Sequence, residues 1–370
     1  MQTILAQQQD PAPVLVSVFL RGGADGLHLV PPVADDAYHR SRPSIAVSAS
    51  DALRLDDTFG LHPALTPLLP VFKDGSLAIV HQCGTADETR SHFSAEDFLN
   101  HGGLEGGGWI GRFLHHTRSA DDGPLTAVSI GPNVADSLRG SAAVAMRSLE
   151  EFTIGASNPA LRTQLGQLYG KAGGPLGSAG ASTLTALARI ESVQRQQDSA
   201  SSTAGYGTDE FSSGLRLIAR LIRARVGLRA ATIELGGWDS HFAQLTLTAG
   251  LMNRLATGLA AFHRDLGSEL RRVNLTVTTE FGRRLAENVS AGTDHGRAST
   301  FFCMGGGIAG GKIMADWPQG GLASGLLDGP GDLPVKFPLH HALGSVLRSI
   351  RPDLATEKVF PGLAPGSISL

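Results

Sequence analysis

Six short apolar runs bounded by turn residues alternate with longer segments of helical period, and this alternation constrains the fold more than any other feature. The runs are Val14–Leu20, Leu77–His81, Thr126–Ile130, Ala230–Leu235, Asn274–Thr279 and Thr300–Met304. Their length and apolar character read as buried strands. Helical periodicity is expected over Pro63–Phe72, Ala95–Asn100, Trp109–His116, Phe211–Arg225, Leu245–Leu270 and Leu339–Ile350. Strands separated by helices predict an α/β fold, a three-layer sandwich with a mostly parallel central sheet covered on both faces. Ligands of such sheets bind outside the carboxyl ends of the strands.

A chain of 370 residues allows one large domain or two smaller ones. One domain over residues 1–370 is the better reading, with residues 150–228 as a mainly helical insertion or cap. Within it, Gly170–Ser182 and Gln196–Gly214 are rich in Gly, Ser and Ala and are expected to be mobile connections bracketing a helix over Thr183–Arg195. The net charge of −3 and the lack of a concentrated basic face argue against a nucleic-acid partner. No window approaches the roughly 18 apolar residues of a transmembrane segment. The first residues, MQTILAQQQDPAP, have neither the basic region nor the apolar run of an intact signal peptide. Cys83 and Cys303 sit in or beside apolar runs, where buried free thiols are common, and their disulfide state is open.

Side chains able to bind metal collect at the ends of the expected strands. Asp25 follows the first strand in RGGAD. Ser91 and His92 follow the second in TRSHF. GGWDSHF places Asp239 and His241 after Ala230–Leu235, Glu280 ends Asn274–Thr279, and GTDHG places Asp294 and His295 before Thr300. Each has a plainer reading: Asp25 as a turn residue, Asp239 as an N-cap of a helix near Phe242, Glu280 as a surface group. Carboxylates mixed with imidazoles suit Zn, Mn or Fe better than Mg or Ca, with one or two ions held. Such a site suits hydrolysis of a phosphate or sulfate ester. Ser94 with Asp97 resembles a capping box, which would start a helix there and leave Ser91 and His92 just before an anion-favouring N-terminus. Ser91 is the candidate nucleophile; Arg90 and Arg21 are candidates to contact an anionic substrate or to form surface ion pairs. The glycine run Met304–Lys312 lacks the residues of a phosphate loop and reads as a tight turn.

FLRGGADGLHLVPP, DTFGLHPAL, GSLAIVHQCG, TRSHFSAED, GGWIGRFL, GGWDSHF, TTEFGRR and GTDHGRAS together resemble, in order, a large bacterial family of uncharacterised proteins. Its members are commonly exported by the twin-arginine route, and it is grouped with the alkaline phosphatase and sulfatase superfamily. The resemblance implies an alkaline-phosphatase-like sandwich, a periplasmic or extracellular location with the signal peptide absent from these residues, and a bimetal site at the strand ends. It implies Asp25, Asp239, His241, Glu280, Asp294 and His295 as metal ligands, with His92 in reserve. The implied nucleophile is Ser91, with Thr89 behind it. Phe281 stands where a further histidine ligand would be, which puts the second metal in question, and the sulfatase signature C-x-P-x-R is not seen. The expected function is a metal-dependent hydrolase of an anionic phosphate or sulfate ester, using Ser91 or a metal-bound hydroxide. The other reading is a non-catalytic binding protein of the cell envelope that keeps the fold and at most one metal.

Overall fold

The computed structural model describes residues 12–119, 122–150, 159–195 and 203–370. Along these the elements are β1 (Val14–Arg21), α1 (Gly26–Leu29), α2 (Asp36–Ser41), β2 (Leu53–Arg54), β3 (Gly60–Leu61), α3 (Leu68–Lys73), β4 (Leu77–Gly84), α4 (His92–His101) and α5 (Trp109–His116). There follow β5 (Ala127–Ile130), β6 (Ala143–Met146), α6 (Pro159–Ala172), α7 (Gly174–Arg195), α8 (Glu210–Arg223) and β7 (Ala230–Gly236). The chain closes with α9 (Gln244–Leu266), β8 (Val273–Thr278), β9 (Ser299–Gly305), β10 (Ile313–Met314), β11 (Phe337–Pro338) and α10 (Leu339–Ile350). All six expected strands form, each within a few residues of its expected ends, and Trp109–His116 and Leu339–Ile350 are helices as expected.

One sheet runs in the order β10-β4-β9-β8-β1-β7-β5-β6, with β11 also paired to β4. Its pairs are parallel except those of β9, which is antiparallel to both β4 and β8. This single reversal brings the segment before β9 to the same edge of the sheet as the segments after β1, β4, β7 and β8. The period-two pattern of β1 shows why it is central. Val14, Val16, Val18 and Leu20 enter one apolar cluster, with α8, α9 and α3; Leu15 and Phe19 enter another, with α4, α5 and α10. A strand buried on both faces is the mark of a parallel sheet sandwiched by helices.

Two expectations need correction. The stretch Gly170–Ser182 is the junction of two helices, not a mobile connection. Gly173 and Gly174, both with positive φ, make the turn. A Cβ on Gly180 would collide with the ring of Tyr169, so the absent side chain lets α6 and α7 pack closely. Ile190 and Val193 of α7 are buried in the same cluster as the sheet. Of the other stretch, residues 196–202 lie outside the described residues, and 210–214 are the first turn of α8. The second correction concerns the helix after β4, which starts at His92 with Ser91 as N-cap, not at Ser94.

Replacing Gly180 by Leu should lower stability by about 1–3 kcal/mol in urea unfolding, the usual cost of overpacking. Gly170→Ala, at an open position of α6, should instead leave stability unchanged or raise it by up to about 1 kcal/mol.

Candidate metal centre

The strand order places β7 and β8 on either side of β1, so the segments leaving these strands crowd together at their carboxyl ends. The turn after β1 solves the crowding with glycine. Gly22 has φ +119° and a Cβ there would press on the backbone of Asp239 and Trp238; Gly23 has φ +66° and would strike the ring of Phe281. The Gly22 N–H donates to Glu280 Oε1 at 2.8 Å.

Four side chains meet at this edge. His295 Nε2 lies 3.2 Å from Asp239 Oδ1 and 2.9 Å from His241 Nε2. His241 Nε2 is 3.1 Å from the same Asp239 oxygen, and His92 Nε2 is 3.6 Å from Asp239 Oδ2. Ligand atoms of His92, Asp239 and His295 all lie within 4.8 Å of one another. Ligands about 2.0–2.1 Å from a tetrahedral zinc stand roughly 3.3 Å apart, so the spacing suits an ion of that size.

The far side of each imidazole explains why the near sides converge. His92 Nδ1 is 2.7 Å from Glu280 Oε1, His241 Nδ1 is 3.4 Å from Asp294 Oδ1, and His295 Nδ1 is 2.8 Å from the carbonyl of Arg90. A carboxylate or carbonyl oxygen can only accept, so in the neutral rings the proton sits on Nδ1 and the lone pair on Nε2. Three lone pairs then face a carboxylate, an arrangement of acceptors that only a cation or added protons can reconcile. Among buried polar atoms of the described residues, His92 Nε2 has no hydrogen-bond partner. Histidine ligands whose other nitrogen donates to a carboxylate or carbonyl are the usual form of a metal site.

The charges agree. Desolvation pushes the Asp239 carboxyl up, but Arg283 outweighs it and holds the group at about 2. Glu280 is likewise held below its ordinary value despite burial, chiefly by His92, which is raised in turn by its hydrogen bond to Glu280. Burial lowers His295, favouring the neutral ring. The side chains of Asp239 and His241 remain 46% and 41% exposed, so the centre opens to solvent, as catalytic metal sites do and structural ones do not.

Of the residues expected as ligands, Asp239, His241 and His295 are brought together, joined by His92. Glu280 and Asp294 stand behind histidines and orient them. Asp25 is elsewhere. Its carboxylate is buried, accepts from Arg42 Nη1 at 2.6 Å and Nη2 at 3.2 Å, from Gln244 Nε2 at 2.6 Å and from the Leu27 N–H at 3.1 Å. Arg42 also donates to the carbonyls of Leu285 and Arg284. Asp25 therefore ties the wall behind the centre together. Burial alone would raise its carboxyl, but Arg42 keeps it below the ordinary value.

Arg90 points its guanidinium at buried Asp332, away from an anion-binding role; what it gives the centre is its carbonyl, aimed by a positive φ of 55°. Arg21 pairs with Glu96 and Glu234. The Ser91 side chain makes no capping bond, while the Thr89 hydroxyl donates to Asp87. Phe281 packs its ring 4.8 Å from that of His92 and 4.6 Å from that of His295 and so walls the centre on that side. Trp238 is buried, whereas Phe242 is 59% exposed. Cys83 and Cys303 are both free and buried.

The sequence reading missed Arg283, Arg42, Gln244 and Asn288. Arg283 is 1% exposed and donates to the carbonyls of Gly22, Gly23, Trp238 and Thr293 and to Asp239 Oδ1. Its one signal was its place in TTEFGRR, three residues after Glu280. Asn288 donates to Asp294 and to the His241 carbonyl.

A family model described as "Protein of unknown function (DUF1501)" matches residues 12–325, in keeping with the family implied by the ordered motifs. No curated protein matches the chain.

Asp25→Asn should cost about 3–5 kcal/mol in denaturant unfolding, because it leaves Arg42 buried beside a neutral partner. A carboxyl held below its ordinary 3.8 contributes stability above that pH and loses it as the pH falls further. The acid limb of the wild type's stability profile below about pH 4 should accordingly flatten in the variant.

Proposed function

We propose that this chain, which belongs to the DUF1501 family, is a metal-dependent hydrolase of a phosphate or sulfate ester on the plan of the alkaline phosphatase and sulfatase superfamily. The observation that carries the reading is the convergence of three Nε2 lone pairs on Asp239, with each ring fixed from behind by Glu280, Asp294 or the Arg90 carbonyl. Nitrogen and oxygen donors together favour Zn, Mn or Fe. When bound, a divalent ion polarises the ester oxygen and lowers the pKa of a water or alcohol beside it.

The chain's own groups divide the remaining tasks. His92, His241, His295 and Asp239 hold the ion, and Arg283 keeps Asp239 ionised and fixed. Ser91 adjoins the ligand His92 at the N-terminus of α4, where backbone N–H groups favour an anion. Its hydroxyl is not spent on capping, while that of Thr89 is committed to Asp87, so Ser91 is the better nucleophile of the two. One ion is the fuller reading. Phe281 walls off the space beside His92 and His295, and the other group of potential ligands, His92, Glu96 and Glu280, has Glu96 paired with Arg21 and Glu280 bonded to Gly22. The resemblance to exported proteins supports a periplasmic or extracellular setting for the activity.

Protein purified without chelators should carry about one equivalent of Zn, Mn or Fe by elemental analysis, and His295→Ala or Asp239→Asn should lose it. Glu280→Gln, which disturbs only the orientation of His92, should weaken metal affinity about 10–100-fold. Metal below a tenth of an equivalent in the wild type after reloading would sink the reading. With aryl phosphates and aryl sulfates as substrates, Ser91→Ala should lower kcat at least about a hundredfold, and undiminished turnover would transfer the nucleophile's role to water.

A further inference from the structure

A cleft of about 1070 Å³ opens at the carboxyl ends of β5 and β7. It adjoins the metal centre through Glu96, which lines it and whose carboxylate lies within 4.8 Å of ligand atoms of His92 and Glu280. Its size suits a small organic molecule, and its position is where a group attached to an ester at the centre would lie.

The lining carries one sign of charge in excess. Among the described residues it has five carboxylates, on Glu96, Asp97, Asp136, Glu210 and Glu234, against two guanidiniums, on Arg21 and Arg147. Arg21 is shared between Glu96 and Glu234, and Asp136 pairs with Arg139. Asp97 and Glu210 are exposed and form no ion pair among the described residues. Beside them Phe93, next in the chain to His92, is 87% exposed and lines the same cleft. A concave surface of one sign concentrates ligands of the other. An exposed aromatic ring beside carboxylates is the combination that takes up an organic ammonium, whose charge is attracted to the ring face.

We propose that this cleft receives the alcohol portion of the ester and selects an alcohol bearing a positively charged amine or quaternary ammonium. The assignment to an ester rests on the hydrolytic reading of the centre; the selection of a cation rests on the cleft alone. An alcohol with further anionic groups would face repulsion from the same lining.

The test uses choline and its uncharged carbon isostere 3,3-dimethyl-1-butanol, titrated into the full chain purified without chelators and followed by ligand-observed NMR. Choline should bind at least about tenfold more tightly, the scale of two partly solvated charge contacts and a ring contact. That advantage should collapse in the doubly substituted Asp97→Asn, Glu210→Gln protein, whose changes are exposed and touch no proposed metal ligand, and should shrink in Phe93→Ala. Equal binding of the two probes by the wild type, or an advantage untouched by the double substitution, would overturn the proposal. Phosphocholine separates this from the metal reading. A further gain over choline that disappears in His295→Ala supports both, whereas a choline advantage without that gain upholds the cleft and removes the metal reading alone.

Discussion

The buried guanidinium of Arg283 is the interaction on which the candidate site depends. It takes carbonyls from the turn after β1, from the loop after β7 and from the segment before β9, and closes on the carboxylate of Asp239. These segments are irregular backbone, and irregular backbone packed away from water must find partners for its carbonyls. Arginine can satisfy several at once because its donors are fixed in a plane. A buried cation is tolerable only if it is paired and fully hydrogen-bonded, and here the pairing falls on Asp239. One contact thus pairs the buried guanidinium and keeps the Asp239 carboxyl ionised.

The second buried pair, Asp25 with Arg42, extends the same logic one layer back. Gln244 links Asp25 at one end of its amide to Thr293 and Ser240 at the other. Thr293 in turn gives its carbonyl to Arg283. The two arginines and the glutamine therefore connect the turn after β1 to the loop that carries both Asp239 and His241 and to the segment that carries His295. This is how a centre exposed at its mouth keeps its donors aligned.

Much of the architecture was legible in the sequence because it follows from local pattern. An apolar run such as Val14–Leu20 fits a strand buried on both faces, and the amphipathic period of Trp109–His116 leaves few alternatives to a helix. The Gly-rich start of α7 was not legible, because composition records the freedom of a glycine and not the Tyr169 ring that fills the space its missing side chain leaves. At the site, Asp239, His241 and His295 were singled out because ligand types at strand ends are unusual together, and these three side chains do converge. Asp25 was singled out by the same cue and for a different end: a carboxylate in a glycine turn looks alike from the sequence whether it faces an ion or an arginine. Arg42 and Arg283, distant from Asp25 and Asp239 in the chain, gave no signal of their pairings.

The sequence by itself determined the α/β class, the strands and most helices that build the sheet, and the edge at which polar side chains gather, since each of these is set by the period and boundaries of apolar residues in one stretch of chain. Only the tertiary structure decided which of those side chains meet and in what role. The reversal of β9 delivers His295 to the same edge as Asp239, and long-range partners fix the proton on Nδ1 of each histidine. The reason is physical: burial pattern is a property of a segment, whereas the direction of a lone pair and the neutralisation of a buried charge are settled by atoms that only folding brings within hydrogen-bonding distance.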